Sequence, residues 1–182
     1  MDRNKKIALV AHCILNCNSK VEGLSEYGGA LREVICYLMD EGFGIIQLPC
    51  PEMAIYGIKR WGHVKEQFDT PHFRNVTRKL VQPILEQVLD YVKNGYEVSL
   101  LVGIDKSPSC GINETCSSKE WGGYSSNGNM AEKLEKLEMV PEKGIFMDEI
   151  LKILKENEIV INCTAIDEEN IEDSLKHLKK FI

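Results

Sequence analysis

The chain has 182 residues, of which 43% are hydrophobic and 27% are charged, and its formal net charge is −6. This composition is typical of a globular protein with a well-buried core, and it excludes a disordered chain or a small scaffold held by disulfides. The acidic balance excludes a broad surface for nucleic-acid phosphates, because such a surface needs clustered lysine and arginine. We predict a single domain over residues 1–182.

The N-terminal residues lead directly into an apolar run, without the cleavage site of a signal peptide. No apolar run approaches the roughly 20 residues needed to cross a bilayer. These features predict a cytoplasmic protein without membrane contact. In that reducing compartment, cysteines indicate metal binding or catalysis more often than disulfides. The chain has seven of them: Cys13, Cys17, Cys36, Cys50, Cys110, Cys116 and Cys163.

Apolar periodicity predicts alternating strands and helices. Short, continuous apolar runs predict strands over residues 6–12, 43–48, 96–103 and 159–163. Apolar residues at helical spacing predict helices over residues 30–41, 73–94, 130–139, 146–157 and 168–181. Pro83 predicts a kink, or a division into two helices, within the second of these. Loop residues dominate segments 13–29, 49–72 and 104–129.

Continuous apolar strands that alternate with helices are typical of parallel sheets covered on both faces. We therefore predict an α/β fold, with an open, mostly parallel sheet and helices on both faces, of the Rossmann or flavodoxin-like kind. Ligands of such sheets bind outside the carboxyl ends of the strands. That edge of the sheet is where a functional site is expected.

Three cysteines lie just beyond the carboxyl ends of predicted strands, namely Cys13, Cys50 and Cys110. Parallel strands would bring them to one edge of the sheet, where we predict a metal centre. Thiolates bind zinc, copper(I) and iron–sulfur clusters, and ligands spread over three strand ends differ from a zinc finger. They can hold three irons of a four-iron cluster and leave the fourth open. The alternative is that they pack as small buried hydrophobic side chains.

Polar side chains adjoin two of these thiols. Glu52 lies two residues after Cys50, and Ser107 and Ser109 precede Cys110. A carboxylate beside a metal can transfer protons, and a hydroxyl can orient a substrate. The alternative for the serines is ordinary turn formation, and for Glu52 a place on a surface loop.

Further patterns leave other sites open. A zinc site could use His12, Cys13, Cys17 and Cys50, and Cys13 with Cys17 could instead form a redox pair. Cys116 is a candidate mobile or protective thiol in the predicted 104–129 loop, and Cys163 a further strand-end candidate. Aromatic side chains that could stack on a flat heterocycle, or simply pack, are Tyr56, Trp61 and Trp121.

Three motifs, in this order and spacing, resemble those of the 2-thiouracil desulfurase family. They are Ala11-His12-Cys13-Ile14-Leu15, Cys50-Pro51-Glu52 and Ser107-Pro108-Ser109-Cys110-Gly111. The resemblance covers about residues 6–112, with looser agreement to the end. It implies an oxygen-sensitive [4Fe-4S] cluster on Cys13, Cys50 and Cys110, whose open iron takes sulfur from a thiolated pyrimidine. It also implies proton-transfer and orienting roles for Glu52 and Ser107.

The chain departs from the family pattern at two places. Asn16-Cys17 stands where the family has a glycine after the first motif, and a longer loop with Cys116 and Gly122-Gly123-Tyr124 follows the last.

We expect hydrolytic desulfurization without net redox, of a thiolated pyrimidine or nucleoside. The acidic balance favours a small substrate over RNA. The alternatives are a non-catalytic iron–sulfur, metal-binding or sulfur-carrier protein, and a zinc-dependent hydrolase.

Overall fold

The computed structural model describes residues 2–123 and 130–182. Its strands are β1 (Lys6–Val10), β2 (Phe43–Gln47), β3 (Glu97–Ile104), β4 (Thr115–Ser117), β5 (Glu138–Val140) and β6 (Asn162–Ile166). Its helices are α1 (His12–Leu15), α2 (Arg32–Asp40), α3 (Pro51–Tyr56), α4 (Lys65–Phe68), α5 (Pro71–Lys93), α6 (Met130–Glu135), α7 (Ile145–Glu156) and α8 (Ile171–Leu178).

The main sheet has four parallel strands in the order β2-β1-β3-β6. From β1 the chain moves outward to β2, and from β2 it crosses back over β1 to β3. Because such crossovers are right-handed, α2 and α5 lie on opposite faces of the sheet. Helix α7 packs against α5 on the same face. The predicted open parallel sheet with helices on both faces is thus confirmed.

The core lies around the two central strands. In β1 and β3 the residues are buried continuously, for example from Ile7 to Val10 and from Leu100 to Ile104. Burial without alternation is expected of a strand that is covered on both faces. This is the physical reason that these strands are recognisable as unbroken apolar runs in the sequence.

Helix α5 is continuous over Pro71–Lys93, with Pro83 inside it. The predicted division into two helices is therefore wrong. The helix also begins earlier than predicted, because Thr70 caps it by accepting the Phe73 amide at 3.1 Å and Pro71 occupies the first turn. Proline is favoured there, since its missing N–H has no helical partner to lose. Among the described residues, no helix combines the length and apolar character required to cross a membrane.

The last strand of the sheet is displaced from its predicted position. The prediction covered residues 159–163, whereas β6 covers Asn162–Ile166. Val160 is 93% exposed, so the first half of the apolar run leads into the strand without joining it. Cys163 pairs with Leu101 inside the strand. The prediction that Cys163 follows a strand end is therefore wrong.

The segment after β3 is more structured than predicted. Residues 104–129 were predicted as a loop, but β4 lies within them and pairs antiparallel with β5. The predicted helix 130–139 ends at Glu135, because the next residues turn into β5. Residues 124–129 of the predicted loop, including Tyr124, lie outside the described residues. In the predicted irregular segment 49–72, the structure contains α3, α4 and the start of α5.

A charged network joins α5 to α7. The Arg74 guanidinium donates to Asp148 at 2.8 Å and to Glu149 at 2.9 Å. Arg78 lies 2.6 Å from the other oxygen of Glu149, whose side chain is only 5% exposed. A buried carboxylate needs such partners, because an unpaired charge inside a protein is strongly unfavourable.

Arg74→Ala is expected to lower the free energy of unfolding by about 1–3 kcal/mol, because it removes charged hydrogen bonds from the buried Glu149. Urea denaturation measures the change. Lys152→Ala is the matched control, since it removes a half-exposed ion pair with Asp148 and should change stability by less than about 1 kcal/mol. Equal losses in the two variants would contradict the stabilising role of this network.

Candidate active site

A pocket of about 500 Å³ opens at the carboxyl ends of the parallel strands. It lies at the point where the chain leaves β1 and β3 in opposite directions, which is where open α/β sheets bind ligands. Its lining includes all five residues that the sequence predicts for the site: Cys13, Cys50, Glu52, Ser107 and Cys110. The five residues that were predicted from the sequence to form one site therefore do line one pocket.

Cys13 is positioned by the short helix α1 that follows β1. The Ala11 amide donates to the Val102 carbonyl at 2.9 Å, which ties the end of β1 to β3. The Tyr27 hydroxyl then donates to the Cys13 carbonyl at 2.9 Å. These bonds hold the backbone of Cys13 at the carboxyl end of β1, next to β3.

Cys50 is the N-cap residue of α3. Its sulfur accepts the Met53 amide at 3.4 Å, and Pro51 occupies the first turn of the helix. The motif Cys50-Pro51-Glu52 is therefore a helix start. Its geometry explains the spacing, because the first turn carries Glu52 into the same pocket as the thiol at the cap.

Cys110 lies in a tight turn built by its own motif. The Ser107 hydroxyl accepts the Cys110 amide at 3.0 Å, and Asp105 accepts the Ile112 amide at 3.1 Å. At Gly111, a β-carbon would collide with the backbone carbonyl oxygen of Glu114. The glycine of the motif is thus required by a close backbone approach.

The same turn caps helix α7. The Ile145 amide donates to the Pro108 carbonyl at 3.1 Å, and the Phe146 amide donates to the Ser109 carbonyl at 3.0 Å. A β-carbon at Gly144 would collide with the Ser109 backbone. These bonds satisfy helix amides that would otherwise lack partners, and they fix the Cys110 turn against the body of the fold.

Glu52 is buried and has a partner on each carboxylate oxygen. The Ser109 hydroxyl donates to Oε1 at 2.6 Å, and the Arg60 guanidinium donates to Oε2 at 3.1 Å. Arg60 also donates to the Ser19 carbonyl at 2.6 Å. Ser109 Oγ in turn lies 3.5 Å from Cys110 Sγ. The carboxylate is therefore held in one orientation beside the cysteine turn.

The environment disfavours free thiolates at all three strand-end cysteines. Burial raises the pKa of Cys13 to about 12, and the negative charges of Glu168 and Cys50 add to the rise. Burial also raises the pKa of Cys110 well above its usual value, with Cys13 as the next contributor. Burial raises the pKa of Cys50 as well, although the Met53 amide opposes it.

Comparison with known proteins decides the family. The chain matches the family described as "Putative 2-thiouracil desulfurase" over residues 5–182. It belongs to this family. An uncharacterized protein of Methanocaldococcus jannaschii is 44% identical over 110 residues, which are 60% of this chain and 70% of that protein. No solved structure matches the chain. The resemblance inferred from the three motifs is thus confirmed, over nearly the whole chain.

The other cysteines of this desulfurase-family chain are placed differently. Cys116 lines the pocket from β4. Cys17 lies outside the pocket lining and accepts the Gly29 amide at 3.1 Å. Within residues 2–123 and 130–182, no three His, Cys, Asp or Glu side chains are grouped so as to hold one metal ion. Of the four residues of the alternative zinc set, His12, Cys13 and Cys50 line the pocket and Cys17 does not.

The aromatic residues considered for stacking do not line the pocket in the structure. Trp61 is 84% exposed, and Tyr56 stacks on His63 with ring centroids 4.7 Å apart. His63 itself does line the pocket. Apolar contact surface comes from residues that sequence reasoning missed, namely Leu24, Leu134, Leu137 and Met139.

Three polar residues of the site were also missed or undervalued. Sequence reasoning chose Ser107, but Ser109 contacts Glu52, while the Ser107 hydroxyl lies 3.3 Å from Ser109 Oγ and caps the turn. Arg60 and Glu168 join the pocket from segments with no motif of their own. A buried glutamate needs a cationic partner, so the prediction of Glu52 as a site residue could have prompted a search for Arg60.

Proposed function

We propose that this protein is a [4Fe-4S]-dependent desulfurase that removes sulfur hydrolytically from a thiolated pyrimidine or thiolated nucleoside. The observation that carries the proposal is that Cys13, Cys50 and Cys110 line one pocket together with the buried carboxylate of Glu52. The description of the family supports the desulfurase activity. The cluster and the hydrolytic route rest on the chemistry of the residues present.

The donor set fits an iron–sulfur cluster. Thiolates are the usual protein ligands of such clusters, and each binds a different iron, so the ligands need not surround a single point. Burial raises the pKa of all three thiols and so favours their protonated form, and metal binding would replace those protons. Cys13, Cys50 and Cys110 would hold the cluster. With three protein ligands, such a cluster would keep one iron open, which would supply a Lewis acid for a thiocarbonyl sulfur.

The reaction exchanges sulfur for the oxygen of water. A carbon–sulfur double bond is replaced by a carbon–oxygen double bond, and the sulfur leaves as hydrogen sulfide. One water is consumed, and neither the carbon nor the sulfur is oxidised or reduced. The reaction therefore needs proton transfers and a polarised carbon, and it needs no external electron donor.

The residues around the pocket can supply these needs. Glu52 is fixed by Ser109 and Arg60 and retains lone pairs that can accept a proton from the attacking water. The Ser107 hydroxyl, next to Ser109, can orient that water or the substrate. The apolar side chains of Leu137 and Met139 can cover the ring and limit access of other water.

Anaerobic isolation followed by cluster reconstitution tests the proposal. We expect bound iron and acid-labile sulfide, and equal amounts of uracil and sulfide from added 2-thiouracil. A bound cluster without sulfide release from any thiolated pyrimidine or nucleoside would instead favour a non-catalytic cluster or sulfur carrier. Zinc without acid-labile sulfide would favour a zinc-dependent hydrolase.

A further inference from the structure

Buried polar atoms without hydrogen-bond partners converge on the pocket. Among the described residues, such side-chain atoms belong to His12, His63, Thr77 and Glu168. All of these residues except Thr77 line the pocket. Buried polar groups in proteins are nearly always paired, so unpaired ones around a pocket mark the polar contacts that a ligand should complete.

Glu168 is the charged member of this set. It follows β6, so it reaches the pocket from the same edge of the sheet as the three strand-end cysteines. Its Oε2 is paired with Lys20 at 2.5 Å, and both side chains are only 13% exposed. Its Oε1 is buried without a partner. Glu168 and Cys13 line the same pocket.

The neighbouring side chains supply no donor to this oxygen. The Tyr27 hydroxyl lies near enough to interact with the Glu168 carboxylate, but its single hydrogen is donated to the Cys13 carbonyl at 2.9 Å. The adjacent acids Asp167 and Glu169 are both paired with Lys106, at 2.9 and 2.6 Å. Of these three consecutive acidic residues, Glu168 is the one with a buried carboxylate oxygen that lacks a hydrogen-bond partner.

We propose that Glu168 Oε1 accepts a hydrogen bond from an N–H group next to the thiocarbonyl carbon of the substrate. This inference rests on the proposed desulfurase function and names a specificity-determining residue for it. An ionised carboxylate can only accept hydrogen bonds, so the ligand atom opposite must be a donor. In 2-thiouracil the thiocarbonyl carbon lies between two ring N–H groups. Sulfur directed toward the cysteines would therefore bring a donor toward the carboxylate beside Cys13.

The orientation of His12 agrees with the same ligand. Its Nδ1 lies 3.3 Å from the Leu48 carbonyl, which only accepts, so this nitrogen carries the hydrogen of the bond. In the neutral ring, Nε2 is then an acceptor, and it is buried without a partner. A pocket with acceptors from Glu168 and His12 favours a ligand that carries donors on both sides of its thiocarbonyl group. It disfavours ligands that are alkylated at the ring nitrogens.

Glu168→Gln tests the inference in the reconstituted protein. Lys20 would donate to the amide oxygen, so the amide NH₂ would take the place of Oε1 in the pocket. The substrate N–H would then meet a second donor where the wild type has an acceptor. We expect 2-thiouracil to bind about 10-fold to 100-fold more weakly, by anaerobic calorimetry, with iron and sulfide content unchanged. Glu172→Gln is the control, because this exposed glutamate also follows β6 but lies outside the pocket lining, and the variant should bind 2-thiouracil as the wild type does.

Methylated and ribosylated ligands identify the donor. The wild type should bind 1-methyl- or 3-methyl-2-thiouracil more weakly than 2-thiouracil. At the nitrogen whose N–H contacts Glu168, methylation should no longer weaken binding in Glu168→Gln. 2-Thiouridine, which has ribose at N1, separates a ring N–H from a ribose hydroxyl as the donor. If Glu168→Gln weakened the binding of 2-thiouridine alone, the donor would be a ribose hydroxyl, and the assignment of a ring N–H would be overturned.

Binding and turnover separate this inference from the proposed function. Wild-type turnover with no effect of Glu168→Gln on binding or KM would overturn the inference alone. Binding of 2-thiouracil that is weakened by Glu168→Gln, without sulfide release by the wild type, would overturn the function and support the binding role. Failure of the wild type to bind any of these ligands would overturn both.

Discussion

Cys110→Ser is expected to abolish cluster binding and sulfide release. Cys110 is buried, and its thiol is one of the three proposed cluster ligands, all of which line the pocket. A serine hydroxyl is a harder and much less acidic donor than a thiol, so iron bound through two remaining cysteines should be lost during desalting. We expect iron and acid-labile sulfide per chain, and the rate of sulfide release, to fall more than about 100-fold, since even outer-shell changes cost 10-fold to 100-fold.

The fold should survive this substitution. The turn around Cys110 is held by backbone bonds, by the Ser107 hydroxyl and by Asp105, none of which uses the thiol. Circular dichroism and thermal unfolding of the apoprotein check this point. Cys163→Ser is the matched control, because Cys163 lies inside β6 and outside the pocket lining, and it should keep its cluster. Full iron content in Cys110→Ser would contradict the three-cysteine assignment.

Glu52→Gln is expected to lower kcat for sulfide release by about 10²- to 10⁴-fold, the range for loss of a general base. Glutamine keeps the shape, and its amide oxygen can still accept the Arg60 guanidinium. The amide NH₂ would then face Ser109, whose hydroxyl can turn to accept from it. Glutamine cannot take a proton from water. Because this interaction develops in the transition state, KM should change little and cluster content should remain at the wild-type value.

Glu156→Gln is the control for this variant. It also removes a carboxylate from a glutamate–arginine pair, with Arg78, but its side chain is 55% exposed and distant in sequence and fold from the pocket lining. It should leave both turnover and cluster content unchanged. Steady-state kinetics of sulfide release measures kcat and KM for both variants. A Glu52→Gln enzyme with wild-type kcat would show that another group moves the proton.

Local sequence patterns predicted the frame of the site because they report on local physics. The strands preceding Cys13 and Cys110 are buried on both faces, and the edge strand preceding Cys50 is partly buried. All three are visible as apolar runs, and their ends fix where the thiols emerge. Parallel pairing then sends those ends to one edge. The same reasoning misplaced Cys163, because the apolar residues 159–161 precede the strand and only pairing with β3 shows where it starts.

The polar details depended on contacts that no local pattern encodes. Ser109 meets Glu52 across 57 positions in sequence, and Lys20 meets Glu168 across 148. Which of two serines in one motif points at the carboxylate depends on how that turn is capped onto α7. In the sequence, nothing distinguishes Arg60 from other loop residues. Only the folding of α3 and the turn after it places Arg60 against the buried carboxylate of Glu52.

The sequence by itself determined the α/β class, the three strand-end thiols and the motifs that indicate the family. It could do so because hydrophobic periodicity and turn chemistry act between neighbours in the chain. Only the tertiary structure decided which residues complete the pocket: Ser109 and Arg60 on Glu52, Cys116 from β4, and the unpaired oxygen of Glu168. These depend on strand order and side-chain orientation, which are set by the packing of the whole fold.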